Sequence, residues 1–243
     1  MFAELNELLG DFADRPKHGK LTLLGATKTD ASFLVHHFLS FYLKGVGLTA
    51  AKERGQLVFL EGLKVSHDVL FSKRQEPAEA RPFQFISGDG SNLKALYEFV
   101  QAALSLTAGG DSWKGSVLIV DDLSVFLSLG VKLTDVLDFI HYCRVTVNTL
   151  LKGNTVVMVR GSEDSEDEEN ELLAKALRHQ ANRILWAEGL ATGFCKDVHG
   201  QLTIIHHGSW EEKAKRDLRQ VYQYKIQDKN VSFFARGMSA AVL

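Results

Sequence analysis

The stretch that most constrains the fold lies near the start of the chain. An apolar run at residues 20–24 leads into the turn Gly25-Ala26-Thr27-Lys28-Thr29-Asp30-Ala31-Ser32, and a long apolar segment follows to Leu43. Strand, tight turn and helix in that order form the opening unit of a phosphate-binding α/β domain, whose loop reads G-x-x-x-x-G-K-[ST]. Gly25 fits the first position and Ser32 the last. Asp30 replaces the second glycine, and Ala31 replaces the lysine.

These two changes remove what such a loop does. The second glycine lets backbone N–H groups close around phosphate oxygens, and the lysine supplies a point charge to them. Asp30 instead stands at the helix start, where a carboxylate caps free N–H groups, worth ~1 kcal/mol. It takes up donors that a phosphate would need. It also adds a like charge, which at ~4 Å costs about 4 kcal/mol at an effective dielectric of about 20. Lys28 sits elsewhere in the loop and is a poor substitute. The turn therefore predicts the shape of a nucleotide site with no bound cofactor.

A second feature agrees with that ancestry. The apolar run at residues 117–120 ends in Asp121-Asp122. In phosphate-loop enzymes such an aspartate holds Mg²⁺. Without the lysine, Asp121 is expected to cap or brace structure.

Periodicity gives the surrounding architecture. Strands are predicted at 20–24, 57–61, 117–120 and 155–159, and helices at 31–43, 65–71, 92–106 and 133–150. Alternation of this kind builds a mostly parallel sheet with helices on both faces. After Leu172 the pattern changes to strands at 184–187, 202–206, 222–226 and 231–235, punctuated by glycines, which predicts an antiparallel extension. Residues 76–91 and the acidic stretch 161–170 read as loops, because dense like charge repels itself. Phe2, Leu5, Leu8, Leu9 and Phe12 have helical spacing. That helix either packs on its own domain, the preferred reading, or docks on a partner.

The chain has 243 residues, 45% of them hydrophobic, which suits one α/β domain over residues 1–243. It carries 28 Lys plus Arg against 30 Asp plus Glu, so there is no overall basic footprint for nucleic acid. The densest basic run is Lys213, Lys215, Arg216 and Arg219, the candidate for RNA contact. Cys143 and Cys195 are the only cysteines. They read as unpaired core residues in a reducing compartment. No secretory leader and no run of ~20 apolar residues is present, which predicts a soluble protein of cytoplasm or nucleus. Neither a nucleophile elbow nor a zinc-binding spacing occurs. His141 and Cys143 point to different helix faces, and the pairs His36-His37 and His206-His207 cannot form a ligand face alone. No metal is expected.

The sequence closely resembles the Elongator complex protein 6 family over nearly its whole length. The most specific stretches are Ala187-Glu188-Gly189-Leu190-Ala191-Thr192-Gly193-Phe194-Cys195, Asp197-Val198-His199-Gly200 and Tyr224-Lys225-Ile226-Gln227-Asp228-Lys229. Residues 19–24, 28–30, 32–44, 53–63, 120–125 and 137–144 also match. The resemblance implies a RecA-like fold without a working phosphate loop. It further implies assembly with Elongator proteins 4 and 5, two copies of each, into a hexameric ring. That ring would bind transfer RNA and dock on the larger catalytic Elongator subunits, which modify the wobble uridine. The implied role is an accessory subunit and not an enzyme.

One departure stands out. Between Leu43 and Ala51 this chain has only seven residues, where the family pattern carries a further apolar strand and a helix-like stretch. Such a loss is expected to expose ladder groups beside the first strand. Two other functions compete with the accessory role. In one, a ring ATPase uses basic residues such as Arg178, Arg183, Lys213, Lys215 and Arg216 at a neighbour's nucleotide. The other is a recombination-type protein acting on DNA.

Overall fold

The apolar run after Lys20 becomes β1 (Leu21–Thr27), with all seven residues buried. The computed structural model describes residues 3–9, 19–71, 82–83, 85–86, 93–107, 115–161, 167–193, 195–207, 218–228 and 230–235. The other strands are β2 (Val117–Val120), β3 (Asn154–Arg160), β4 (Arg183–Glu188), β5 (Gly200–His206), β6 (Leu218–Ile226) and β7 (Val231–Ala235). They form one seven-stranded sheet in the order β2-β3-β1-β4-β5-β6-β7. The first four are parallel, and β5 to β7 add on antiparallel. The expected mixed architecture is the one observed.

Strand residues alternate between two faces, and each face has its own core. On one face Leu21, Leu23, Val157, Val159, Ile184 and Trp186 meet α5 (Lys94–Thr107), α7 (Leu133–Arg144) and α8 (Glu168–Gln180). On the other, Leu24, Ala26, Val156, Met158 and Leu185 meet α1 (Ala3–Leu9) and α2 (Ser32–Leu43). Burial on both faces explains why these strands read as continuous apolar runs. Three further helices are α3 (Leu48–Glu53), α4 (Gly62–Phe71) and α6 (Ser124–Ser128). α7 continues as a π-helical turn over Val145–Leu150, so the helix expected at 133–150 is continuous but changes its winding.

The N-terminal helix packs on its own domain. Leu5 is fully buried and Leu9 nearly so, and the Phe233 N–H of β7 donates to Glu4 Oε2 at 2.8 Å. Phe2 and Phe12 lie outside the described residues. So do residues 162–166 of the acidic stretch and most of 76–91.

Four expectations need correction. First, among the described residues no strand pairs with 57–61, and Val58 is 50% and Phe59 58% exposed. Their β-propensity finds no neighbouring strand to pair with, and an unpaired strand has no ladder to hold it. Second, the acidic stretch does not end as loop at 170. Helix α8 starts at Glu168, with Asp167 Oδ1 accepting the Asn170 N–H at 3.3 Å. Glu168, Glu169 and Glu171 fill its first turn, where the positive end of the helix dipole favours negative charge. Third, β1 has no exposed edge, since β3 and β4 flank it; the edge strands are β2 and β7. Fourth, Cys143 is buried and its thiol is pushed up to about 12 by desolvation, but Cys195 is only half-buried.

Candidate functional site

The phosphate-loop position lies at the carboxyl end of β1, but the strand runs on through Gly25 to Thr27. Gly25 therefore sits inside the sheet and not at the head of a loop. A Cβ there would lie 1.9 Å from a Trp186 ring carbon. Gly25 is a glycine because the indole covers it, and this corrects its reading as a phosphate-loop residue. The Trp186 Nε1–H donates to Thr27 Oγ1 at 3.1 Å, and the Arg178 guanidinium lies 3.8 Å from the indole centre.

What remains of the loop is pressed onto the sheet. Lys28 adopts the left-handed region at φ 55°. The Gly189 N–H donates to the Thr27 carbonyl at 2.9 Å, and a Cβ on Gly189 would come within 2.6 Å of the Lys28 carbonyl oxygen. The Thr29 and Tyr224 hydroxyls share a hydrogen bond of 2.8 Å. Strand β6 thus reaches across and fastens the turn. Desolvation raises the Tyr224 pKa above its ordinary value.

Asp30 holds the helix start from one residue further back than expected. The residue at the N-cap is Ala31, fully buried and without a side-chain cap. The Asp30 carboxylate accepts the Ser32 N–H at 2.8 Å on Oδ1 and the Ser32 hydroxyl at 3.0 Å on Oδ2. In a working loop this N–H faces a phosphate and this hydroxyl faces Mg²⁺. Here one carboxylate engages both. Asp30, Ala31 and Ser32 are brought together by the β1–α2 turn, with Gly25 inside the strand before it.

Asp121 ends β2 as the sequence predicted, yet it is exposed and does not brace the fold. Partial desolvation, then the adjacent Asp122 charge, raise its pKa, and the charges of Arg160, His36 and Asp30 reach it as well. The bracing carboxylate is Asp122. It is buried, accepts the Ser124 N–H at 2.8 Å, and pairs with Arg160 Nε at 2.9 Å. The Ser124 hydroxyl accepts the Arg160 N–H at 2.8 Å, completing the brace. Among the described residues no group of three His, Cys, Asp or Glu could hold a metal ion.

The two arginines proposed for a neighbour's nucleotide are engaged at home. Arg178 stacks on Trp186, and desolvation lowers its pKa. Arg183 pairs in register with Thr22, at the opposite end of β1 from the turn. Its guanidinium is pushed down to about 10 by burial and donates to His206 Nδ1 at 3.2 Å. Of the basic run, Arg219 is exposed on β6, while Lys213, Lys215 and Arg216 lie outside the described residues. A cavity of about 200 Å³ opens beside Trp186 and α8, lined by Thr27, Glu171, Lys175, Arg178 and Glu188 among others. Two carboxylates offset two cations there, so its walls carry no net charge to attract a polyphosphate.

Sequence reasoning missed Trp186, Tyr224 and Asp122. The first two act on the turn from strands about 160 and 195 residues away along the chain. No local pattern announces such contacts. Asp122 was legible only as the second of two adjacent carboxylates.

The family model described as Elongation complex protein 6 matches residues 2–46 and 44–228. The chain is 55% identical over 269 aligned positions to Elongator complex protein 6 of Homo sapiens, covering 100% of both chains. It is 55% identical to the protein of that name from Rattus norvegicus, also over 269 positions and 100% of both chains, and 41% identical over 273 positions to that from Danio rerio. An uncharacterized protein of Pyrococcus horikoshii has a TM-score of 0.50 at 12% identity, covering 97% of this chain and 98% of that one. That likeness concerns the fold alone, an α/β domain built on a mixed, mostly parallel sheet. The chain belongs to the Elongator complex protein 6 family.

Proposed function

We propose that this chain is a non-catalytic subunit of the Elongator complex. It assembles with Elongator proteins 4 and 5, two copies of each, into a hexameric ring. The ring binds transfer RNA and docks on the larger catalytic subunits, supporting wobble-uridine modification in cytoplasm and nucleus. The observation that carries this reading is the combination of full-length family membership with a turn whose Ser32 donors are already engaged by Asp30.

A ring member needs apolar surface on more than one side. Tyr142, Leu150, Leu172 and Leu218 are 51–69% exposed on α7, its π turn, α8 and β6, and so provide candidate contacts. Transfer RNA contact draws on Arg219 and the basic residues before it. One such patch is weak, but a ring that repeats it gains by avidity.

Co-expression with Elongator proteins 4 and 5, followed by native mass measurement, tests the proposal. The expected species contains two copies of each chain. Recovery of this chain alone, with the other two assembled without it, would overturn the reading.

A further inference from the structure

α2 behaves as a crossover helix that never reaches its strand. It leaves the carboxyl end of β1, packs on the face built from Leu24, Ala26, Val156 and Met158, and contacts β2. Such a helix delivers the chain to a further parallel strand of the same sheet. Here it ends at Lys44, in the left-handed region at φ 50°, and the chain passes directly into α3.

The strand-like residues 57–61 then run without a ladder. Val58 and Phe59 face solvent, while Leu60 packs against the same core cluster as Leu118 and Val120 of β2. The two edges of the sheet also differ. At β7, α1 lies alongside and Glu4 accepts an edge N–H from Phe233. At β2, four apolar residues are only half-buried, and among the described residues no strand pairs with the outer edge. A wholly apolar edge strand with no strand paired to it is a template for another strand.

The relatives point to what belongs there. Their alignments run over 269 positions against 243 residues in this chain, so 26 positions have no counterpart. The family match breaks into two blocks at residues 44–46, immediately after α2.

We propose that the outer edge of β2 is an open strand-acceptor seat. Its occupant is the segment that the relatives carry after α2, and this chain accepts that segment in trans. A strand lying between β2 and residues 57–61 gives both a partner and covers Val58 and Phe59. Recognition is by main-chain hydrogen bonds along the edge, with alternate apolar side chains setting the fit.

The test uses the full chain and a synthetic peptide with the human relative's residues at the break, read by hydrogen exchange. Amides of 117–120 and 57–61 are expected to exchange at least about tenfold more slowly with the peptide. A scrambled peptide leaves them unchanged. Phe59→Asp, at an exposed site where the ring touches only Lys52 among the aromatic and cation contacts of the fold, is expected to weaken peptide binding at least about tenfold while the thermal midpoint of the free chain shows that it still folds. Unchanged exchange at 117–120, protection confined to another region, or an equal response to the scrambled peptide would overturn the proposal. So would a chain self-associated through β2 that the peptide does not displace, since a second copy would then be the occupant.

Discussion

Alanine at position 25 would place a methyl carbon 1.9 Å from the Trp186 ring. The indole cannot retreat cheaply, because Thr27 holds its N–H on one side and Arg178 covers its face. Gly25→Ala is expected to destabilise by roughly 1–3 kcal/mol, the range for overpacking a tight core. A lower urea midpoint at unchanged slope is the readout. In the Trp186→Ala background the same change should cost at least about 1 kcal/mol less, because the clash is gone. A Gly25→Ala cost that is the same in both backgrounds would mean that some other contact demands the glycine. This residue shows the reach of sequence reading. Asp30 and Ser32 are two apart, so their local competition for donors was legible. Trp186 and Tyr224 act on the same turn through the tertiary fold, so the reason for Gly25 and the fastening of Thr29 were not.

At the scale of elements, the strands of the sheet and the helices α2, α5 and α7 were legible because each has a sustained apolar period. α8 was not, because its first turn is acidic and charge density argued for a loop. The helix dipole reverses that argument once Asp167 caps the start. Asp167→Ala is expected to cost about 1 kcal/mol, measured as a fall in thermal midpoint. Asp167→Asn, which keeps the side-chain acceptor, should recover most of it. Residues 57–61 failed in the other sense. Their local preference for strand is strong, but a strand exists only with a neighbour, and among the described residues none pairs with them.

At the scale of the whole molecule, two histidines tie stability to pH. His37 is buried, and desolvation, then the Arg183 charge, push its pKa from 6.5 to about 4. The same two causes push half-buried His206 from 6.5 to about 4. Both are neutral when folded, and the unfolded chain binds their protons more tightly. Their contribution is fully present above pH 6.5 and is lost as pH falls through the window from 6.5 to 4. At about 1.4 kcal/mol per unit, His37 alone accounts for up to about 3 kcal/mol of that loss. Urea midpoints should fall across this window, and His37→Gln should flatten the fall. A midpoint constant over the window would contradict these assignments.

The whole-molecule claim that matters most is that the turn after β1 stands where a phosphate loop would, while its Ser32 N–H and hydroxyl serve the protein itself. Calorimetric titration of Mg²⁺-ATP into the isolated chain tests it most directly. The Asp30 carboxylate on the Ser32 N–H and hydroxyl, with Ala31 in the lysine position, predicts no saturable heat up to about millimolar nucleotide. A saturable, Mg²⁺-dependent isotherm at about micromolar affinity would contradict it.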